Sequence, residues 1–181
     1  LTRIEQKDQA RAREQQSAVA NQAGIEVSVA SPSGDETRRG EAYDARVQKL
    51  YLGVPLQEAL VTHINGLLRT YAHVEGKIKN LERGDGLRYG IPVRGRGELV
   101  LTETRRVRAA AGGTQNQINV LPLNTFGVSP FVNYRCSKAA DSCYIKHPAN
   151  GDDWIRIAYD EQGAGELAMA LERLIKALQR G

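Results

Sequence analysis

The fold of this chain is decided by residues 131–159, which read FVNYRCSKAADSCYIKHPANGDDWIRIAY. Three short runs rich in aromatic and β-branched side chains, 131–136, 143–146 and 154–159, are separated by runs of Ser, Ala, Asp, Pro, Asn and Gly. Apolar runs interrupted by turn residues at hairpin spacing are typical of consecutive antiparallel strands. This segment therefore predicts three strands of one antiparallel sheet.

Two more strands are predicted upstream of this segment and a helix downstream of it. Residues 97–107 and 117–123 are each predicted to form a strand, and the flexible run 109–113 lies between them. Residues 165–179 return to helical periodicity, with one apolar stripe. The stripe consists of Leu167, Leu171, Leu174, Ile175 and Leu178.

The middle of the chain predicts a long helix over residues 55–83. Pro55 suits the first helical position, because its missing N–H would be unpaired there in any case. Gly84, Asp85 and Gly86 form a stop signal at the other end. Gly66 and Gly76 lower the helix propensity, so a kink or an early end is an open alternative. Apolar residues recur at steps of three and four: Leu56, Leu60, Ile64, Leu67, Tyr71, Val74, Ile78 and Leu81.

The first 41 residues are predicted to form a polar arm. Residues 1–22 are rich in Gln, Ala, Arg and Glu and contain few large apolar side chains. Residues 25–29 alternate as a short strand, and 31–41 carry turn signals and charge without periodicity, which predicts a loop. We expect residues 42–181 to form a single α+β domain.

The predicted fold class is α+β, with an antiparallel sheet of five or more strands packed against the long central helix and the C-terminal helix. The residues that we expect to be buried come from both helices and from the strands. They are Leu60, Ile64, Leu67, Leu101, Ile118, Val120, Val132, Ile145, Ile157, Leu171, Leu174 and Ile175.

Composition excludes several classes of protein. The 181 residues are 41% hydrophobic and 25% charged, which is close to the globular norm and argues against wholesale disorder. No apolar run is long enough for a membrane-spanning helix, and no signal peptide opens the chain, so we expect a leader to be absent or already removed. The net charge of +4 slightly favours anionic partners.

Cys136 and Cys143 end two predicted strands that are joined by a short loop. Facing positions of a hairpin lie within the range that a disulfide can close, so we expect these cysteines to be bonded. A disulfide predicts an oxidising compartment, either periplasmic or extracellular. The alternative is a cytoplasmic protein with two reduced thiols.

The remaining motifs do not indicate catalysis, a metal or a cofactor. His63 and His73 are ten positions apart on the predicted helix, which places them on different faces, so they cannot bind one metal ion together. The two cysteines with His147 provide fewer than the four ligands of a structural zinc site. The signatures G-x-S-x-G and H-E-x-x-H are absent. The glycine-rich run after residue 83 follows a predicted helix rather than a strand, which is wrong for a phosphate loop. We therefore expect a protein that is not an enzyme and has no cofactor.

Arginines are concentrated around the first predicted strands. Arginine suits bidentate contacts with phosphate or carboxylate, so these side chains are candidates for an anion-binding or nucleic-acid-binding sheet face. The alternative is a solvated face with partial salt bridging. This arginine set consists of Arg88, Arg94, Arg96, Arg105, Arg106 and Arg108.

Residues 86–181 resemble a bacterial C-terminal module with a pleckstrin-homology-like arrangement. The resemblance rests on the opening strand at 97–101, the cysteine-bearing hairpin at 132–145, the strand at 154–159 and the helix at 164–178. It implies a final helix packed on a curved antiparallel sheet, and an interaction module more than an enzyme. The Lys-x-Lys/Arg pattern of phosphoinositide binding is not plainly present, so lipid binding is not implied.

The sequence therefore favours a non-enzymatic binding or assembly module in a bacterial envelope-associated or secreted system. Its partner would be another protein or a second copy of the chain. The alternative function is the binding of an anionic ligand or nucleic acid by the arginine set.

Overall fold

The computed structural model describes residues 34–73, 87–92 and 97–181. The chain divides into two compact units, residues 1–37 and 38–181, and every contact discussed below lies within the second. The predicted strand over 25–29 lies outside the described residues. The predicted boundary after residue 41 stays a prediction.

Helix α1 spans Gly34–Leu50, so the expected loop over 31–41 is wrong wherever the structure describes it. The helix has acidic residues in its first turn and Lys49 in its last, as the helix dipole favours. Tyr43 and Val47, four positions apart, are its buried large side chains. The sequence pattern missed this helix because most of its remaining positions are polar or charged, so two buried large side chains gave no clear apolar period.

Helix α2 spans Leu56–Thr70 and is much shorter than the predicted helix over 55–83. After Thr70 the backbone joins a sheet, because the carbonyl of Tyr71 accepts a hydrogen bond from the N–H of Ala158 at 2.8 Å. Ala72 forms a β-bridge with Ile157. These strand-type bonds are incompatible with a continuing helix, and residues 74–83 of the prediction lie outside the described residues.

Six described strands form two antiparallel sheets of three strands each, rather than the expected single sheet of five or more. The first sheet has the order β1 (Arg88–Gly90), β2 (Glu98–Arg108) and β3 (Thr114–Asn124). The second sheet follows the chain order in the same way. Its strands are β4 (Tyr134–Ser137), β5 (Ser142–Lys146) and β6 (Asp153–Ala158).

Helix α3 spans Glu161–Arg180 and begins four residues before the predicted start at 165. The side chain of Asp160 caps it by accepting a hydrogen bond from the N–H of Gly163 at 2.6 Å. The cap satisfies a first-turn donor, which lets the helix start ahead of its apolar stripe. Helix α3 packs against α2 and against strands of both sheets.

The core confirms most of the expected buried residues and corrects three. Leu67 is only partly buried, while Ile118 and Val120 are 64% and 60% exposed. Strand β3 has apolar residues on both faces. The face with Leu123 packs against the core, and the face with Ile118 and Val120 is exposed. The expected residues that are buried are Leu60, Ile64, Leu101, Val132, Ile145, Ile157, Leu171, Leu174 and Ile175.

Candidate functional site

The outer face of the β2–β3 hairpin has two exposed apolar side chains, Ile118 and Val120, which we call the apolar pair. They lie opposite Thr104 and Thr102 of β2. Successive residues of a strand point to opposite faces, so both members of the pair lie on one face. The described positions of β3 from Thr114 to Ile118 are all exposed. The hairpin therefore presents a small apolar surface to solvent.

The described members of the arginine set are divided between the two faces of the first sheet. Arg88 lies opposite Thr104, which places it on the same face as Arg106. Arg105 lies on the other face, and the Nε of Arg106 donates a hydrogen bond to Thr114 at 3.0 Å. Arg94 and Arg96 lie outside the described residues. The side chain of Arg108 does too. Because Arg105 lies on the face opposite to that of Arg88 and Arg106, the set does not share one face, and anion binding by it stays a prediction.

A polar cluster around Glu166 joins helices α1, α2 and α3. The Tyr43 hydroxyl donates to Oε1 of Glu166 at 3.0 Å. Arg46 of the same helix donates to both carboxylate oxygens, at 2.7 and 2.9 Å. Nε2 of His63, on helix α2, lies 3.0 Å from Oε1. Glu166 therefore binds helix α3 to helices α1 and α2.

Charge and burial oppose each other at Glu166. Burial acts to raise the pKa of its carboxyl group, but the hydrogen bonds from Arg46, His63 and Tyr43 outweigh it and hold the pKa below the usual value. Burial and the neighbouring carboxylate raise the pKa of Tyr43. A general base needs a pKa near the working pH. The lowered pKa of Glu166 makes it a poor base, and the geometry suits a structural ion pair.

A second ion pair joins helices α1 and α3. The guanidinium of Arg173 donates to Asp44 through Nε at 2.9 Å and through Nη2 to the other oxygen at 2.5 Å. The Arg173 side chain is only 6% exposed, and that of Asp44 is 14% exposed. A buried pair with this two-point geometry needs both partners, because either charge alone would be costly to bury.

Ser142 and His73 form a buried contact that resembles part of a catalytic dyad. The Ser142 hydroxyl lies 3.2 Å from Nδ1 of His73 and donates to the carbonyl of Ala140 at 2.9 Å. It accepts a hydrogen bond from Nε of Arg156 at 3.0 Å. Ser142 is fully buried. A nucleophile must reach its substrate, so this contact fits a role in holding the second sheet to the segment after α2.

The second sheet has a cross-strand ladder that the sequence analysis missed. Arg135, Tyr144 and Arg156 are register partners on β4, β5 and β6. The guanidinium carbons of the two arginines lie 4.3 and 5.7 Å from the centre of the tyrosine ring, within cation–π range. Asp153 pairs with Arg135 and with Lys146. These three residues occupy matching positions on three consecutive strands, each with side chains that alternate between the two faces. That pattern was the sequence signal from which the ladder could have been predicted.

The cysteines lie where the sequence predicted. Cys136 and Cys143 are direct register partners on β4 and β5. Their sulfur atoms are at disulfide distance, 1.98 Å, and the Cα atoms are 4.0 Å apart. The pair closes the hairpin over a sequence separation of 7.

Three further observations bear on the kind of site that this protein has. Across residues 34–73, 87–92 and 97–181, no group of three or more His, Cys, Asp or Glu side chains is placed to hold a metal ion. None of the described helices is both long and apolar enough to cross a membrane. Comparison with family models, curated proteins and solved structures gives no match to this chain.

Proposed function

We propose that this chain is a non-enzymatic binding or assembly module that acts through protein–protein contacts. The observation that carries the proposal is the apolar pair, Ile118 and Val120, which are 64% and 60% exposed on one face of a long hairpin. Single exposed apolar side chains are normal on protein surfaces. Two β-branched residues side by side on one exposed strand face instead favour a contact surface for another protein.

The polar clusters support the same proposal. Glu166, the Arg173–Asp44 pair and the Ser142 hydroxyl each bind one secondary-structure element to another. Their hydrogen-bonding capacity is used within the fold. These described side chains are therefore committed to structure rather than to a substrate.

We place the module in a bacterial envelope-associated or secreted system, in the periplasm or outside the cell. The support is the cysteine pair at disulfide distance on the β4–β5 hairpin, since ordinary thiols stay reduced in the cytosol. Thiol titration of native-source protein, denatured without reductant, tests this. If no thiol reacts, the result supports the proposal. If two thiols react, the result favours the cytoplasmic alternative.

The pleckstrin-homology-like resemblance of residues 86–181 stays part of the proposal. What supports it is the order of the elements, in which two antiparallel three-stranded sheets are followed by helix α3. This arrangement presents strand edges and hairpins for contact with other proteins, which is the kind of role that the resemblance implies.

The experiment is site-specific photo-crosslinking in the cells that produce the protein. A photoreactive amino acid replaces Ile118 in one variant and the exposed Gln162 of helix α3 in a matched control. The proposal expects a discrete protein adduct from position 118 and none of the same size from position 162. Equal labelling at both positions, or none at 118, would overturn it.

A second function, binding of an anionic ligand or nucleic acid, has one observation in its favour. Arg88 and Arg106 lie on the same face of the first sheet, and both are exposed. Two guanidinium groups on neighbouring strands could contact adjacent phosphates. Binding that weakens as the salt concentration rises distinguishes this function from the first.

A further inference from the structure

Strand β3 has one edge that pairs with none of the described strands, here called the free edge. Hydrogen bonds at both ends of the hairpin show which backbone groups point toward it. The N–H of Thr125 donates to the carbonyl of Gly97 at 2.8 Å, one register step beyond the pairing of Asn124 with Glu98. At the turn, the N–H of Ala109 donates to the carbonyl of Gly113 at 3.1 Å. Odd-numbered residues of β3 therefore direct their backbone groups toward β2, because hydrogen-bonding direction alternates along an antiparallel strand.

The even-numbered residues of β3 direct their backbone groups away from β2. In the described part of the chain β3 pairs with β2 alone. Its outer edge consequently offers the N–H and C=O groups of Asn116, Ile118 and Val120. Pro122 has no N–H and weakens this edge toward the C-terminal end of the strand. An exposed edge with unpaired backbone groups is a template for another strand.

The side chains of β3 favour an identical strand as the partner. The sequence from Thr114 to Asn124, TQNQINVLPLN, contains no charged residue. The neighbouring strand β2 has Glu98, Glu103, Arg105 and Arg106. Two copies of β3 can therefore approach each other without repulsion between like charges. A highly charged partner segment would gain no ion pair from this strand.

We propose that the free edge of β3 pairs antiparallel with the same edge of a second copy, about a two-fold axis at Asn119. This inference rests on the proposed function and names its partner. In this register Ile118 of each copy lies opposite Val120 of the other, so the two apolar pairs contact each other on one face of the joined sheet. The first sheet (β1, β2 and β3) of one copy and the first sheet of the other then form one continuous sheet of six strands, with a closed, isologous interface.

Neighbouring registers are less favourable. An axis at Ile118 places Val120 opposite the polar Asn116. An axis at Val120 places Ile118 opposite Pro122 and loses hydrogen bonds next to the centre of the interface, since proline has no N–H to donate. The axis at Asn119 keeps the Pro122 positions at the outside of the pairing.

Cysteine cross-linking tests both the pairing and its register. Cys136 and Cys143 are already bonded to each other, so an added cysteine is the single free thiol. Under mild oxidation Asn119→Cys should form a covalent dimer, because the Cβ atoms of directly facing residues lie about 4.5–5.5 Å apart. Gln117→Cys is the control: its two copies are offset by four residues, roughly 14 Å, which exceeds disulfide reach. A mixture of Gln117→Cys with Leu121→Cys should give the mixed dimer.

Sedimentation of the unaltered chain and of an edge variant completes the test. Ile118→Pro removes an N–H from the free edge but none from the pairing with β2, so the monomer should keep its fold by circular dichroism. Its dimerisation should weaken by more than about tenfold. A chain that stays monomeric at every concentration, or Gln117→Cys dimers forming as fast as those of Asn119→Cys, would overturn self-pairing. If the chain is monomeric while position 118 crosslinks to another protein, the proposed function stands and this inference fails.

Discussion

Gly40 of helix α1 leaves the space that the guanidinium of Arg173 occupies on helix α3. A Cβ atom added at Gly40 would lie 2.3 Å from Nη1 of Arg173 and 2.9 Å from its Cζ atom. The same guanidinium is held by Asp44, one helical turn further along α1. A single turn of α1 therefore supplies both the space and the charge partner for a buried arginine.

Replacing Gly40 by alanine should destabilise the protein despite the higher helix propensity of alanine. The added methyl group overlaps the guanidinium of Arg173, which must shift within its pair with Asp44, and overpacking of a buried site costs typically about 1–3 kcal/mol. Gly66→Ala is the matched control, because nothing lies within 4 Å of a Cβ there. That variant should gain up to about 1 kcal/mol. Urea unfolding measures both, and equal effects of the two substitutions would contradict the packing relationship.

Glu166 should make the stability of the protein depend on pH in the acid range. Its pKa is held below the usual 4.5 in the folded state, so its ionised form is stabilised by folding. This contribution is present above pH 4.5 and is lost as the pH falls through the folded-state pKa. Glu166→Gln should therefore flatten the fall in unfolding free energy on acidification. An unchanged slope below pH 4.5 would show that the cluster contributes nothing.

The hydroxyl group of Tyr89 links the two sheets. It donates to Glu103 of β2 at 3.0 Å and accepts from the backbone N–H of Arg156 on β6 at 3.2 Å. Tyr89→Phe should cost about 1–3 kcal/mol, because two partly buried groups lose their partner. Tyr159→Phe is the control, since within the described residues that exposed hydroxyl bonds to the nearby Glu161 alone, and its effect should stay within about 0.5 kcal/mol. Thermal unfolding compares the two, and similar losses would argue against a specific link.

Removal of the disulfide should destabilise the protein without changing its fold. For a loop this short the chain-entropy model gives about 2.5 kcal/mol. The double variant Cys136→Ala with Cys143→Ala should unfold at correspondingly lower urea concentration, while circular dichroism keeps both helix and strand signals. Unaltered protein treated with a reductant should show a loss of similar size. No change in the midpoint after reduction would mean that the bond adds no stability.

The alternative function predicts salt-sensitive binding to polyanions. Arg88→Ala with Arg106→Ala should weaken binding to single-stranded DNA or anionic vesicles and reduce its dependence on salt, because each phosphate contact releases counterions. Arg135→Ala, in the ladder of the second sheet, is the control for loss of a positive charge. Fluorescence anisotropy with DNA and vesicle sedimentation make the measurements. Absence of binding to DNA and to vesicles at low salt would exclude this function for the arginine set.

The sequence by itself determined those features that depend on local pattern. The five strands predicted between residues 97 and 159 are present within a few residues of their expected limits, and so is the C-terminal helix. The facing cysteines followed from the same pattern, because a short loop between two strands fixes the register of a hairpin. Apolar period and turn residues are short-range signals that act on adjacent parts of the chain.

Only the tertiary structure decided which faces are buried and where elements end. Helix α2 stops at Thr70 because Tyr71 and Ala72 bond to strand β6, which is distant in sequence. Ile118 and Val120 are exposed because β3 has apolar residues on both faces, and a shift of one residue exchanges the inner face for the outer. The ion pair of Arg173 with Asp44 likewise joins residues 129 positions apart. Contacts of this range depend on how the helices and sheets pack, which no local pattern specifies.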